Sequence, residues 1–92
     1  MMTAKEARAA TNDRLVVMAK EFIINNTGIP IQDAANNGQF YTTVSFVGVP
    51  NPEKLGAEVV RQLEEQGFEA EHVYYDATNG YDNYILIKWE DD

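Results

Sequence analysis

Tyr84-Ile85-Leu86-Ile87 is apolar at every position, so both faces of this stretch need cover. A β-strand sends successive side chains to opposite faces, and a strand apolar on both belongs in the interior of a sheet. Two other strand-like stretches flank the possibilities. Phe40–Val47 is rich in aromatic and β-branched residues, and Phe68–Tyr75 carries Glu69 and Glu71, which suit an edge. Asn79-Gly80, within a loop from Asp76 to Asp82, marks a turn, so the strand Asn83–Trp89 forms a hairpin with Phe68–Tyr75. A helix separates Phe40–Val47 from Phe68–Tyr75, so those two run the same way, and the apolar third strand fits between them. The expectation is an α+β fold of element order α-α-β-α-β-β. Its three-stranded antiparallel sheet, order 1-3-2, is covered by helices on one face.

The helices follow from periodicity and caps. From Thr3 to about Asn25, Leu15, Met18, Ala19 and Phe22 recur at spacings of three and four and share a face. Thr3 with Glu6 three residues on forms a capping box. Val16, Val17, Ile23 and Ile24 widen the apolar surface beyond one stripe, which marks them as candidate subunit contacts. Asn25-Asn26-Thr27-Gly28 breaks this helix, and a short second one, Pro30 to Asn37, presents Ile31, Ala34 and Ala35, with Gly38 in the left-handed position after it. In the first strand, Phe40, Thr42, Val44 and Phe46 share one face and Tyr41, Thr43, Ser45 and Val47 the other. Asn51 caps a third helix that starts at Pro52, buries Leu55, Val59 and Leu63, and closes at Gly67 after Gln66. Gly56, inside that helix, costs up to ~1 kcal/mol against alanine, and close packing on the sheet accounts for it.

Ninety-two residues make a single domain over 1–92, and a chain this short buries only about 60–65% of its unfolded surface. There is no cysteine, hence neither a disulfide framework nor a thiolate metal site. Met1–Ala10 lacks the apolar core of a signal peptide, and the apolar runs fall far short of a membrane span, so the expected setting is cytoplasmic. Residues 1–52 hold four acids and four bases, whereas residues 53–92 hold eleven acids and three bases and so supply the whole net charge of −8. That balance argues against contact with a nucleic-acid backbone, which needs a positive surface. It leaves room for an acidic mimic of DNA built on Glu58, Glu64 and Glu65.

Catalytic chemistry has little to stand on. His72 is the single histidine and Ser45 the single serine, and nothing in the sequence ties them together as base and nucleophile. Asp76-Ala-Thr-Asn79-Gly80-Tyr-Asp82 lacks the ligand series and terminal glutamate of a calcium loop. No phosphate-binding loop, dinucleotide-binding glycine pattern or metal-ligand cluster is present, so no cofactor and no metal is called for. What the sequence offers instead is contact surface. A three-stranded sheet with helices on one face leaves the other open, and Tyr41, Tyr74 or Tyr75, and Tyr84 or Trp89 are the aromatic candidates for it. Arg8, Arg14 and Lys20 on the first helix are candidate anion contacts for a nucleotide-like signalling ligand held between subunits.

Met2-Thr-Ala-Lys-Glu-Ala-Arg8 resembles the opening of many short proteins of bacteriophages and prophages. The step through Ala34-Ala-Asn-Asn-Gly-Gln-Phe40-Tyr41 into a strand is similar too. So is Leu63-Glu-Glu-Gln-Gly67-Phe68-Glu-Ala-Glu with its hairpin ending Ile85-Leu-Ile-Lys-Trp89, whereas the Gly28-Ile29-Pro30 break is not expected in every member. The class is loose and mostly uncharacterised, so the resemblance carries over no functional residue. It implies a phage or prophage setting, in which small acidic proteins act as accessory virion parts or bind and block host factors. The surplus apolar surface and the lack of catalytic chemistry point, from the residues themselves, to a non-enzymatic homo-oligomer that binds a host or phage protein.

Overall fold

The central strand lies where its sequence demands. A computed structural model describes residues 1–77 and 80–90, with the backbone alone for 74–77 and 80–82. Its elements are α1 (Ala4–Asn26), α2 (Gly28–Asn36), β1 (Tyr41–Ser45), α3 (Pro52–Glu65), β2 (Glu69–Ala77) and β3 (Gly80–Lys88). The sheet order is β1-β3-β2, antiparallel at both junctions. Registers place Val44 opposite Ile85 and Thr42 opposite Ile87 on one side, and His72 opposite Ile85 and Ala70 opposite Ile87 on the other. Val44, Phe46, Ile85 and Ile87 are buried under the helices, with Leu55, Val59 and Leu63 of α3 and Leu15 and Ala19 of α1 completing the core. α1 lies against α3, α3 against β2 and β3, and α2 against β1.

The capping box at Thr3 is formed in full: the Glu6 N–H donates to Thr3 Oγ1 at 3.2 Å and the Thr3 N–H to Glu6 Oε1 at 3.5 Å. The break between α1 and α2 narrows to one residue. Thr27 is buried, and both its N–H (3.1 Å) and its hydroxyl (2.7 Å) donate to the Ile23 carbonyl. α2 therefore begins at Gly28, two residues ahead of the expected start, and Pro30 still falls in its first turn, where no N–H is needed. Asn51 does precede α3, but in a left-handed conformation (φ 50°) with no side-chain cap bond; its carbonyl accepts from the Leu55 N–H at 3.0 Å. Asparagine tolerates that conformation better than most residues.

The limits of all three strands differ from the sequence expectation. β1 has five residues instead of eight, because its register with β3 spans only Tyr41–Ser45. Phe40, expected on the inner face, is exposed, and its carbonyl takes the Trp89 N–H. The hairpin strands run on to Ala77 and Gly80, past the expected limits at Tyr75 and Asn83, so strand pairing occupies much of the anticipated loop. The tip, residues 78–79, and the side chains of the calcium-like stretch 76–82 lie outside the described residues.

The radius of gyration is 14.9 Å, and the longest axis is 53 Å. A compact chain of this length would have a radius near ~12 Å. α1 contributes to the excess, since every residue from Met1 to Arg14 is exposed.

Candidate functional site

The residues expected to contact another subunit sit at the packed end of α1. Leu15 and Ala19 point into the core, and Ile23 is half-buried against it. Val16, Val17 and Ile24 keep 41%, 44% and 69% of their surface exposed. A single turn of sequence, Leu15 to Ala19, thus contains both inward and outward apolar residues. A helix presents only about a 100° arc to its neighbour, so residues outside that arc stay in water unless something else covers them.

Val16, Ile23 and Ile24 do not stand alone. With Lys20, Thr27 and Ile31 they form one wall of a surface groove of about 520 Å³, whose other wall is Arg61, Gln62, Leu63, Glu65 and Gln66 of the α3 end, with Phe68. Gln62 holds the walls together, donating from Nε2 to the Val16 carbonyl at 3.0 Å. Val17 is not part of this groove. No local pattern announces the second wall; only the packing of α3 on α1 brings residues 46 positions apart into one groove.

The rim is electrostatically balanced. Arg61 Nε lies 3.1 Å from both carboxylate oxygens of Glu58, and the guanidinium also pairs with Glu65. The hydrogen bond from Arg61 holds the Glu58 carboxyl below its usual range, while partial burial opposes it. Two of the three acids considered for DNA mimicry, Glu58 and Glu65, are therefore engaged by a cation on their own helix, and Glu64 is exposed beside them.

The open sheet face gathers less aromatic surface than the sequence suggests. Tyr41, Thr43 and Ser45 share it with Tyr84, Leu86 and Lys88 and with Glu69, Glu71 and Val73, as the register requires. Tyr41 stands opposite Lys88 and Tyr84 opposite Ser45, four residues apart along the strands, a separation of about 13 Å. Trp89 is on the other side. Its position follows the parity of Ile85 and Ile87, and its ring meets Phe68 edge-on at 6.2 Å against the core. The side chains of Tyr74 and Tyr75 lie outside the described residues.

The three candidate anion contacts do not converge. Arg8, Arg14 and Lys20 are six residues apart on α1, and six residues turn a helix by about 240°, so they point three ways around the axis. Arg14 lines a separate shallow groove with Ala10, Met18 and Pro50, whereas Lys20 lines the α1–α3 groove.

His72 is a packing residue. Its ring meets Phe46 edge-on at 5.1 Å, and its Nε2 lies 2.5 Å from Oδ1 of the buried Asn83. A methyl group added at Gly56 would fall within 2.8 Å of the imidazole Cγ and Cε1. The glycine in α3 therefore makes room for the His72 ring, which is the close packing its sequence position implies. Among the described residues, no group of three or more His, Asp or Glu side chains is arranged to hold a metal ion, and no helix is long and apolar enough to cross a membrane.

Comparison with protein-family models, with curated proteins and with solved structures finds no match.

Proposed function

We propose that this chain is a non-enzymatic protein-binding module that takes an apolar segment of a partner protein into the α1–α3 groove. The observation that carries the proposal is the exposure of Val16 and Ile24 beside Ile23 and Ile31 in a groove with a second, ready-made wall. Apolar surface rimmed by polar groups is the usual composition of a contact site, and burying it on a partner removes it from water. The charge distribution supports the same assignment. The second wall comes from the acidic half of the chain, yet the charged residues that line the groove are Lys20, Arg61 and Glu65, with no acidic excess, so a partner need not be basic to approach it.

The resemblance to short phage and prophage proteins supplies the setting. The partner is then a host or phage protein met in the host cytoplasm, and occupancy of the groove blocks that protein's own contacts. Self-association belongs to the same proposal.

The test is affinity capture from host lysate with the immobilised full chain, run beside Val16→Glu and Ile24→Glu. Both substitutions are at exposed positions and should leave the circular dichroism spectrum unchanged. A protein retained by the native chain and lost from both variants is the expected result. An identical set of captured proteins on all three would sink the proposal.

A further inference from the structure

The sheet has two edges, and they differ in kind. β2 carries Glu69 and Glu71, the charged residues that discourage strand addition. β1 carries nothing of the sort: no charged residue occurs from Ala34 to Pro52 in a chain of net charge −8. Its outward backbone groups can be identified. The Phe46 N–H donates to the Asn83 carbonyl at 2.9 Å, and the Phe40 carbonyl accepts from the Trp89 N–H at 3.0 Å. Backbone groups alternate sides along an antiparallel strand, so residues 40, 42, 44 and 46 address β3, and Tyr41, Thr43 and Ser45 address the outer edge. Among the described residues no other element bonds to those outward groups. Apolar surface flanks them, with Phe40, Tyr41 and Val47 exposed to 54%, 52% and 66%.

We propose that the β1 edge is a self-pairing surface, on which two copies of this chain join antiparallel about Thr43 into a continuous six-stranded sheet of order β2-β3-β1-β1-β3-β2. The two-fold register is set by the requirement that every outward group find a partner. Thr43 then meets Thr43 of the second copy, and Tyr41 meets Ser45 in both directions, each pair exchanging two hydrogen bonds. The pairs are uncharged and each sets a large or branched side chain against a small or equal one. On the open face Ser45 already neighbours Tyr84, so the incoming Tyr41 packs beyond a small residue instead of against another ring. Charge selects the same edge. Contact through β1 joins two neutral regions, whereas contact through β2 would bring together the halves that hold the whole −8. This proposal specifies the self-association within the protein-binding function above and uses none of the groove residues.

The experiment is the molar mass of the full chain by light scattering and sedimentation, for the native chain and for Thr43→Lys and Thr43→Pro. The native chain should weigh twice its sequence mass. Thr43→Lys sets two like charges across the two-fold. Thr43→Pro removes an outward N–H that no intrachain bond uses, at an edge position where proline is tolerated. Both should be monomers with native circular dichroism; should the proline variant fail to fold, the lysine variant decides. The chain has no cysteine, so Thr43→Cys adds a lone reporter of register. It should cross-link to a covalent dimer on mild oxidation, and Glu71→Cys should not. A native chain that is monomeric up to its solubility limit, or a dimer that Thr43→Lys leaves intact, overturns the proposal. Ile24→Glu separates the two proposals, since it should abolish partner capture and leave the dimer whole. If Ile24→Glu gives a monomer and Thr43→Lys stays dimeric, self-contact belongs to the groove and the edge assignment is wrong.

Discussion

In α3, Leu55, Val59 and Leu63 fall at intervals of four, and all three are almost completely buried. In α1, a longer helix with more apolar residues, only Leu15 and Ala19 are buried, while Val16, Val17 and Ile24 remain largely in water. The two helices pack against each other, so the contrast does not come from their distance to the core. It comes from arc. α3 keeps its apolar residues within the arc that faces the sheet. α1 spreads them around its circumference, and whatever falls outside the arc is surface. A helix like α3 is explained by the fold, whereas a helix like α1 keeps apolar surface that its own chain leaves in water.

Truncations on the two helices should therefore differ in cost. Leu63→Ala removes a buried side chain against the sheet and should lower stability by about 2–5 kcal/mol, whereas Val17→Ala should stay within about 0.5 kcal/mol. Urea unfolding of both variants checks this, and comparable losses would erase the distinction between the helices. The α3 side can be probed more finely at Gly56. Gly56→Ala drives a methyl group into the His72 ring, and overpacking of this kind costs about 1–3 kcal/mol. Part of that cost is offset by up to ~1 kcal/mol of helix propensity. If His72 is the obstacle, adding His72→Ala should recover stability relative to the sum of the single changes, a coupling of about 0.5–3 kcal/mol. Strict additivity would place the obstacle elsewhere.

The smallest effect is expected at Glu58, half-buried on the side of α3 that faces α1. The Glu58 carboxyl is held below its usual range, first by its hydrogen bond from Arg61. A depressed folded-state pKa stabilises the fold above the ordinary carboxylate range, and the contribution disappears as pH falls through the lowered value. The melting temperature of Glu58→Gln should thus lie slightly below that of the native chain at neutral pH, and the gap should close in acid. A gap that persists in acid would mean the interaction is not between charges.

How much of this was legible in the sequence depends on the range of the interaction. The sheet order was readable from Ile85, Leu86 and Ile87 against Glu69 and Glu71, because a strand's two faces report directly whether it has neighbours on both sides. The capping box at Thr3, the left-handed glycine at Gly38, the end of the third helix at Gly67 and the glycine for close packing at Gly56 were readable because each depends on chemistry within a few residues or on the absence of a Cβ. Trp89 was open to either face until the pairing of Lys88 with Tyr41 and Glu69 set its parity. A one-residue change of register moves a side chain to the other face, so a candidate aromatic surface cannot be read before the register is known.

By itself, then, the sequence determined the α+β class, the central place of β3, the acidity of the last forty residues and the surplus apolar surface of α1. Each of these is set by composition or by a short period along the chain. Only the tertiary structure decided that the surplus becomes one wall of a groove, that α3 provides the other, and that no other element among the described residues bonds to the outward backbone groups of β1. Those features join residues tens of positions apart, and their geometry comes from how α1, α3 and the sheet pack together, which no local pattern encodes.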